Sequence, residues 1–172
     1  MINLRWCFTL AAVVCAALLG AGLYLQHVMD LKPCPLCIFQ RVAFIALGIT
    51  FTLIALHYPQ RLGILIYGVL LSICALSGIG FAARQLWLQS LPADQVPACG
   101  PGLSYMLERF PVSRMIEQVF VGSGECAEVS WRLMGLSIAG WSLIWFALLL
   151  VFGIFALRQR LIQLGANIRR EL

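Results

Sequence analysis

"KPCPLCIFQRVAFIALGITFTLIALHY", residues 32–58, decides how many times this chain crosses a membrane. The uncharged run inside it, Val42 to Leu56, is 15 residues long. Crossing a hydrocarbon core of about 30 Å at 1.5 Å per residue takes about 20. The segment becomes adequate if its helix starts near Cys37, with Arg41 on the first turn and His57 and Tyr58 at the far end. This makes it a span over about 38–58. It also puts two close-spaced cysteines and an arginine where the apolar run begins.

Working outward, Trp6–Leu25, Leu62–Ala83 and Leu133–Leu157 are uncharged runs long enough to cross. A composition that is 62% hydrophobic and 11% charged is far from that of a soluble globular domain. The reading is an all-α membrane protein, a four-helix transmembrane bundle forming one domain over residues 1–172. Its spans are expected at about 6–25, 38–58, 62–83 and 133–157, with loops at about 26–37 and 84–132. The first run exceeds the ~7–15 apolar residues of a signal peptide, so it is read as a retained helix.

Four spans put both termini on one side. Arg5, Arg61, Arg158, Arg160, Arg169 and Arg170 lie on that side; Lys32, Arg41, Arg84 and Arg132 lie near the spans on the other. Arg109 and Arg114 are too far from a span to carry topogenic weight. The balance favours cytoplasmic termini and outward-facing loops. The net charge of +5 largely reflects the cytoplasmic arginines and calls for no nucleic acid.

Topology sorts the cysteines. Cys7, Cys15 and Cys74 fall inside spans, where a thiol is a small hydrophobe. Cys34, Cys37, Cys99 and Cys126 fall in the two outward loops, where an oxidising compartment sustains disulfides. Four cysteines allow three connectivities. Proximity favours Cys34–Cys37 with Cys99–Cys126. Chain entropy assigns about 2 kcal/mol to the short ring and about 3.5 kcal/mol to the long loop. That difference corresponds to about 30 mV and makes the short pair the better oxidant. Two disulfides of unequal potential look like steps of a relay. The competing readings are bridges that brace the loops and a zinc site, for which the wide separation of Cys99 and Cys126 is poorly suited.

With the second helix starting near Cys37, Cys37 and Arg41 form an i, i+4 pair. The helix N-terminus and the guanidinium both favour a thiolate at Cys37. An arginine at the edge of hydrocarbon points to function, with a snorkelling anchor as the plainer alternative. Electrons reaching such a site need an exit into lipid, and a membrane-dissolved quinone, with carbonyl oxygens that accept hydrogen bonds from Arg41, supplies one. "SGIG" at 77–80 reads as close helix packing through small residues. His27 and His57 are expected to make interfacial hydrogen bonds.

In the long loop, "LSYMLERFPVSRMIEQVF" (103–120) is amphipathic on either side of Pro111, as suits a short helix lying on the membrane surface. "PACGPG" and "GSGEC" bracket it, so Cys99 and Cys126 are expected in mobile backbone.

These residues resemble the disulfide bond formation protein B family, quinone-linked thiol oxidases of the inner membrane of Gram-negative bacteria. The match runs through "QHVMDLKPCPLCIFQR", "ERFP" and "VFVGSGECAEVSWRLMGLSIAGW". The resemblance implies a four-helix transmembrane bundle with a short amphipathic horizontal helix in the second periplasmic loop. It implies that a reduced thioredoxin-fold dithiol oxidase of DsbA type attacks Cys99, whose partner is Cys126. Cys34 then exchanges with the loop pair, and Cys37 passes electrons to bound ubiquinone, or menaquinone in its place, with Arg41 supporting the quinone. Gln40 stands where some relatives have glutamate. Two other classes compete: a structural adaptor with braced loops, and a bundle of the vitamin K epoxide reductase kind that runs electrons the other way.

Overall fold

The computed structural model describes residues 4–92, 94–96, 124–129 and 131–171, with side chains as far as residue 166. Its long helices are α1 (Leu4–His27), α2 (Pro35–His57), α3 (Arg61–Gln89) and α5 (Ile138–Glu171). Between the last two come the one-turn α4 (Gly124–Ala127) and a two-stranded hairpin, β1 (Arg132–Leu133) and β2 (Leu136–Ser137). All four long helices are long and apolar enough to cross a membrane, which makes this a multi-pass membrane bundle. Leu10, Val13, Ile45, Ile49, Leu65 and Ile66 stay exposed on their outer faces. Lipid tails solvate such faces as readily as a protein core does, so no polar outer stripe is needed. The amphipathic segment 103–120 and Cys99 lie outside the described residues.

α2 packs between α1 and α3, α3 packs along α5, and α1 and α5 touch over little of their length. Small residues set the close approaches. A Cβ at Gly78 would lie 2.4 Å from the Phe146 ring, and one at Gly153 would lie 2.5 Å from Leu71. Phe146 stacks in turn on Phe44, with ring centroids 3.9 Å apart. Gly78 thus bears out the packing role read from "SGIG", whereas Gly80 faces nothing within 4 Å. Cys15 is buried in this core, and Cys74 packs against its margin.

Local chemistry ends the helices. At the end with the chain termini, Tyr58 stops α2 in the left-handed region at φ 43°, its N–H bonded to the Ile54 carbonyl at 2.9 Å. Pro59 follows and bars continuation. Arg5 of α1 and Arg160 of α5 lie 4.8 and 3.7 Å from the Tyr58 ring centre, so two cation–π contacts tie the outer helices to this turn. His57 Nδ1 meets the Tyr67 hydroxyl.

At the other end, the apolar run that begins at Leu133 enters a helix only at Ile138. Met134 and Gly135 take φ 52° and 81°, the two positive values that a tight I′-type hairpin turn demands. Ser137 then caps α5, its Oγ accepting from the Gly140 N–H at 3.3 Å and donating to Gln89 Oε1 at 2.7 Å. Trp141 Nε1 donates to the Leu133 carbonyl at 3.1 Å, which holds the hairpin against the helix it precedes.

Candidate active site

"PCPLC" builds the N-terminus of α2. Cys34 precedes a proline, which biases it to extended backbone, and its φ −70°, ψ 162° are those of an N-cap. Pro35 takes the first helical position, where its missing N–H costs nothing. The Cys34 sulfur is the cap acceptor, receiving the Cys37 N–H at 3.3 Å. The same turn brings the two sulfurs to 3.0 Å, where the Cys34 thiol donates to Cys37 Sγ, and the pair stands as two thiols.

Cys126 joins them from the long loop. It sits in α4, fully buried in a small cluster with Cys34, Leu36 and Leu88. Leu88 from α3 and Leu36 from α2 supply the apolar seat that holds Cys126, a residue whose glycine-rich flanks suggested mobile backbone. The Cys34 thiol is pushed well above its ordinary range, first by its hydrogen bond with Cys126, then by that with Cys37, then by burial. Cys34 therefore keeps its proton while flanked by both other sulfurs.

Two glutamines complete the polar shell. Gln85 of α3 and Gln40 of α2 are 4% and 3% exposed, so each needs a partner for its amide. Gln40 Nε2 donates to Gln85 Oε1 at 2.7 Å, and Gln85 Nε2 lies 3.3 Å from Cys37 Sγ and 3.4 Å from Cys34 Sγ. Sequence reasoning passed over Gln85 because the uncharged run of the third span stops at Ala83. The helix continues past Arg84, whose guanidinium lies 4.2 Å from the centre of the Trp87 ring. A readable signal was present: Leu71, Ala75, Gly78 and Ala82 are buried at spacings of four and three, and the next step of that stripe is Gln85.

Arg41 lies one turn below Cys37 and opens on the same cavity, a space of about 390 Å³ in the gap between α1 and α5. Leu18, Leu25, Phe44, Trp141 and Trp145 form its apolar walls, with Cys34, Cys37 and Gln85 at one side. The guanidinium bonds to α1: Nη1 donates to Gln26 Oε1 and Nη2 to the Gly22 carbonyl, the latter at 3.0 Å. The polar contacts of Cys37 Sγ come instead from Cys34 and Gln85. Of the residues singled out from sequence, Cys34, Cys37 and Arg41 thus line one cavity, with Cys126 buried against Cys34 behind it, while Cys99 falls outside the described residues.

A thiol pair at a helix N-terminus, faced by a third cysteine inside a multi-pass membrane bundle, is an arrangement suited to thiol–disulfide exchange. The family profile "Disulfide bond formation protein DsbB" matches residues 4–156. The chain is 51% identical over 156 residues to disulfide bond formation protein B of Marinobacter nauticus, covering 91% of this chain and 93% of that protein. It is 53% identical over 142 residues to that of Hahella chejuensis, covering 83% and 86%. Against disulfide bond formation protein B 1 of Pseudomonas aeruginosa it is 46% identical over 156 residues, covering 91% and 96%. The chain belongs to the DsbB family.

Proposed function

We propose that this protein is a protein-disulfide:quinone oxidoreductase of the bacterial inner membrane, with cytoplasmic termini and its cysteine end in the periplasm. It reoxidises a thioredoxin-fold dithiol protein of DsbA type and passes the electrons to ubiquinone, sustaining disulfide formation in exported proteins. The observation that carries this reading is the placement of Cys34 and Cys37 on an aromatic-walled cavity that also holds Arg41, with Cys126 buried against Cys34.

The exchange at this cluster balances within the chain. The Cys126 thiolate attacks Cys34 Sγ of an oxidised Cys34–Cys37 pair. The Cys34–Cys126 bond forms, the Cys34–Cys37 bond breaks, and the electron pair leaves on Cys37 as a thiolate. Cys99 is the sulfur proposed to take the mixed disulfide with the partner, freeing Cys126 for its attack. The N-terminus of α2 favours the anion left on Cys37.

The cavity suits a quinone. Its volume lies in the range of small-molecule sites. Phe44, Trp141 and Trp145 offer flat apolar walls, and Arg41, braced by Gln26 and the Gly22 carbonyl, has further N–H donors for a carbonyl oxygen. Menaquinone presents the same pair of carbonyl oxygens. A bound quinone supplies an acceptor for two electrons and two protons.

The test is disulfide mapping of the native oxidised chain, without quinone, mixed with a reduced DsbA-type protein whose second active-site cysteine is replaced by serine. The expected product links Cys34 to Cys126 and the partner to Cys99. A Cys34 still paired with Cys37 beside an intact Cys99–Cys126 bridge would overturn the relay in favour of bracing.

A further inference from the structure

The relay proposed above leaves a negative charge on Cys37, half-buried at the cavity, and neither helix N-terminus nor Arg41 touches that sulfur in the way Gln85 does. We propose that Gln85 is a catalytic residue whose Nε2 holds the Cys37 thiolate, and that Gln40 is the positioning residue that keeps this end of Gln85 turned toward the sulfurs. The inference rests on the oxidoreductase reading.

A side-chain amide has a donor end and an acceptor end, and only the donor end stabilises an anion. Left to itself, Gln85 could present either. With Gln40 Nε2 donating to Gln85 Oε1 at 2.7 Å, Oε1 is engaged and Nε2 faces the cysteines. Both amides are buried, and reversing Gln85 alone would set its donor against that of Gln40. The geometry of the sulfurs follows. Gln85 Nε2 lies 3.3 Å from Cys37 Sγ and 3.4 Å from Cys34 Sγ, one donor group placed between two acceptors. Gln85 Oε1, at 3.5 Å from Cys37 Sγ, can take the hydrogen of the protonated thiol, and once that hydrogen is gone the Nε2 contact is the favourable one.

The sharing has a consequence for the order of events. When Cys34 is bonded to Cys126 its sulfur is neutral and a weak acceptor, so the donor passes to Cys37 at the moment Cys37 carries the charge. A glutamine suits this task because it stabilises the thiolate without supplying a proton to it. The two amides also come from different helices, α2 and α3, so the orientation of the donor depends on the packing of the bundle.

The test is the alkylation rate of Cys37 in the fully reduced, detergent-purified chain, read by fragment-ion mass spectrometry at neutral pH. It compares the native chain with Gln85→Met, Gln40→Met and the double variant. These are near-isosteric changes that remove the amide and keep the volume. A hydrogen bond to a charged group is large enough for Gln85→Met to slow Cys37 by about tenfold or more. Gln40→Met is expected to slow it by about threefold, and the double variant to match Gln85→Met alone, since Gln40 acts only through Gln85. A Gln85→Met rate within twofold of the native rate would overturn the proposal. So would a Gln40→Met effect that persists undiminished in the Gln85→Met background, the pattern of a merely structural role. Alkylation involves neither quinone nor partner, so this outcome is separate from the fate of the oxidase reading, which stands or falls on quinone reduction by the native chain.

Discussion

The middle of the bundle and its cysteine end are built on opposite principles. In the middle, Gly78 receives Phe146, Gly153 receives Leu71, and the Phe44–Phe146 stack spans α2 and α5, with shape setting the contacts. At the cysteine end the close neighbours are polar: a shared thiol hydrogen, two amides fixed end to end, and a guanidinium bonded across to α1. Both regions are buried, and both hold cysteine. The difference teaches that burial alone does not make a thiol functional. Cys15 sits among apolar side chains with Gly48 against it, whereas Cys34 and Cys37 sit where donors converge.

The widest separation between the two regions should come from replacing their cysteines. Cys126→Ser is expected to reduce partner-driven quinone reduction to background. Cys15→Ala should leave turnover unchanged and cost about 1 kcal/mol of stability, as for deletion of a small buried group. Equal losses of turnover in the two variants would erase the distinction.

Next in size is Arg41→Met, which removes a charged donor from the cavity. A hydrogen bond of this kind is worth about 1.5–3 kcal/mol, so the KM for quinone should rise by roughly ten- to a hundredfold while the partner's KM holds. An unchanged quinone KM would return Arg41 to the role of an interfacial anchor.

A third contrast lies inside the cysteine end. Cys34 is held in its protonated form by Cys126, Cys37 and burial. Its folded-state value lies above the unfolded one, so the thiol persists through the pH range where a free cysteine ionises. In reduced protein at about pH 8.5, the ordinary value for a free thiol, Cys34 should alkylate at least about tenfold more slowly than in denatured chain. Comparable rates would show that the cluster does not hold its proton.

The smallest effect probes the packing of the middle. Gly78→Ala forces a methyl against the Phe146 ring and should destabilise by about 1–3 kcal/mol. Gly80→Ala meets open space and should be neutral or stabilising by up to about 1 kcal/mol through helix propensity. Melting curves of the two variants in the same detergent give the comparison.

Much of the architecture is legible in the amino-acid sequence. Uncharged runs of sufficient length announce the helices, and the spacing of Cys34, Cys37 and Arg41 puts them on one helical face. Gln85 escapes because charge marks the end of the third span in sequence. The helix runs on through Arg84, whose guanidinium lies over Trp87. The hairpin before α5 is hidden inside an apolar run, since nothing in Met134 as a residue type advertises a positive φ. The burial of Cys126 depends on Leu36 and Leu88, which come from two other helices, and no local pattern around "GSGEC" carries that information. What sequence conveys well is local periodicity; contacts between elements are what it conveys least.

The most direct test of the central claim is ubiquinone absorbance after mixing purified protein, ubiquinone and a reduced DsbA-type dithiol protein, with Cys37→Ser alongside. The account predicts loss of one quinone per dithiol oxidised, absent in the variant. Intact quinone in the presence of native protein and a competent partner would contradict it, and the cysteines would then be read as braces of the outer loops.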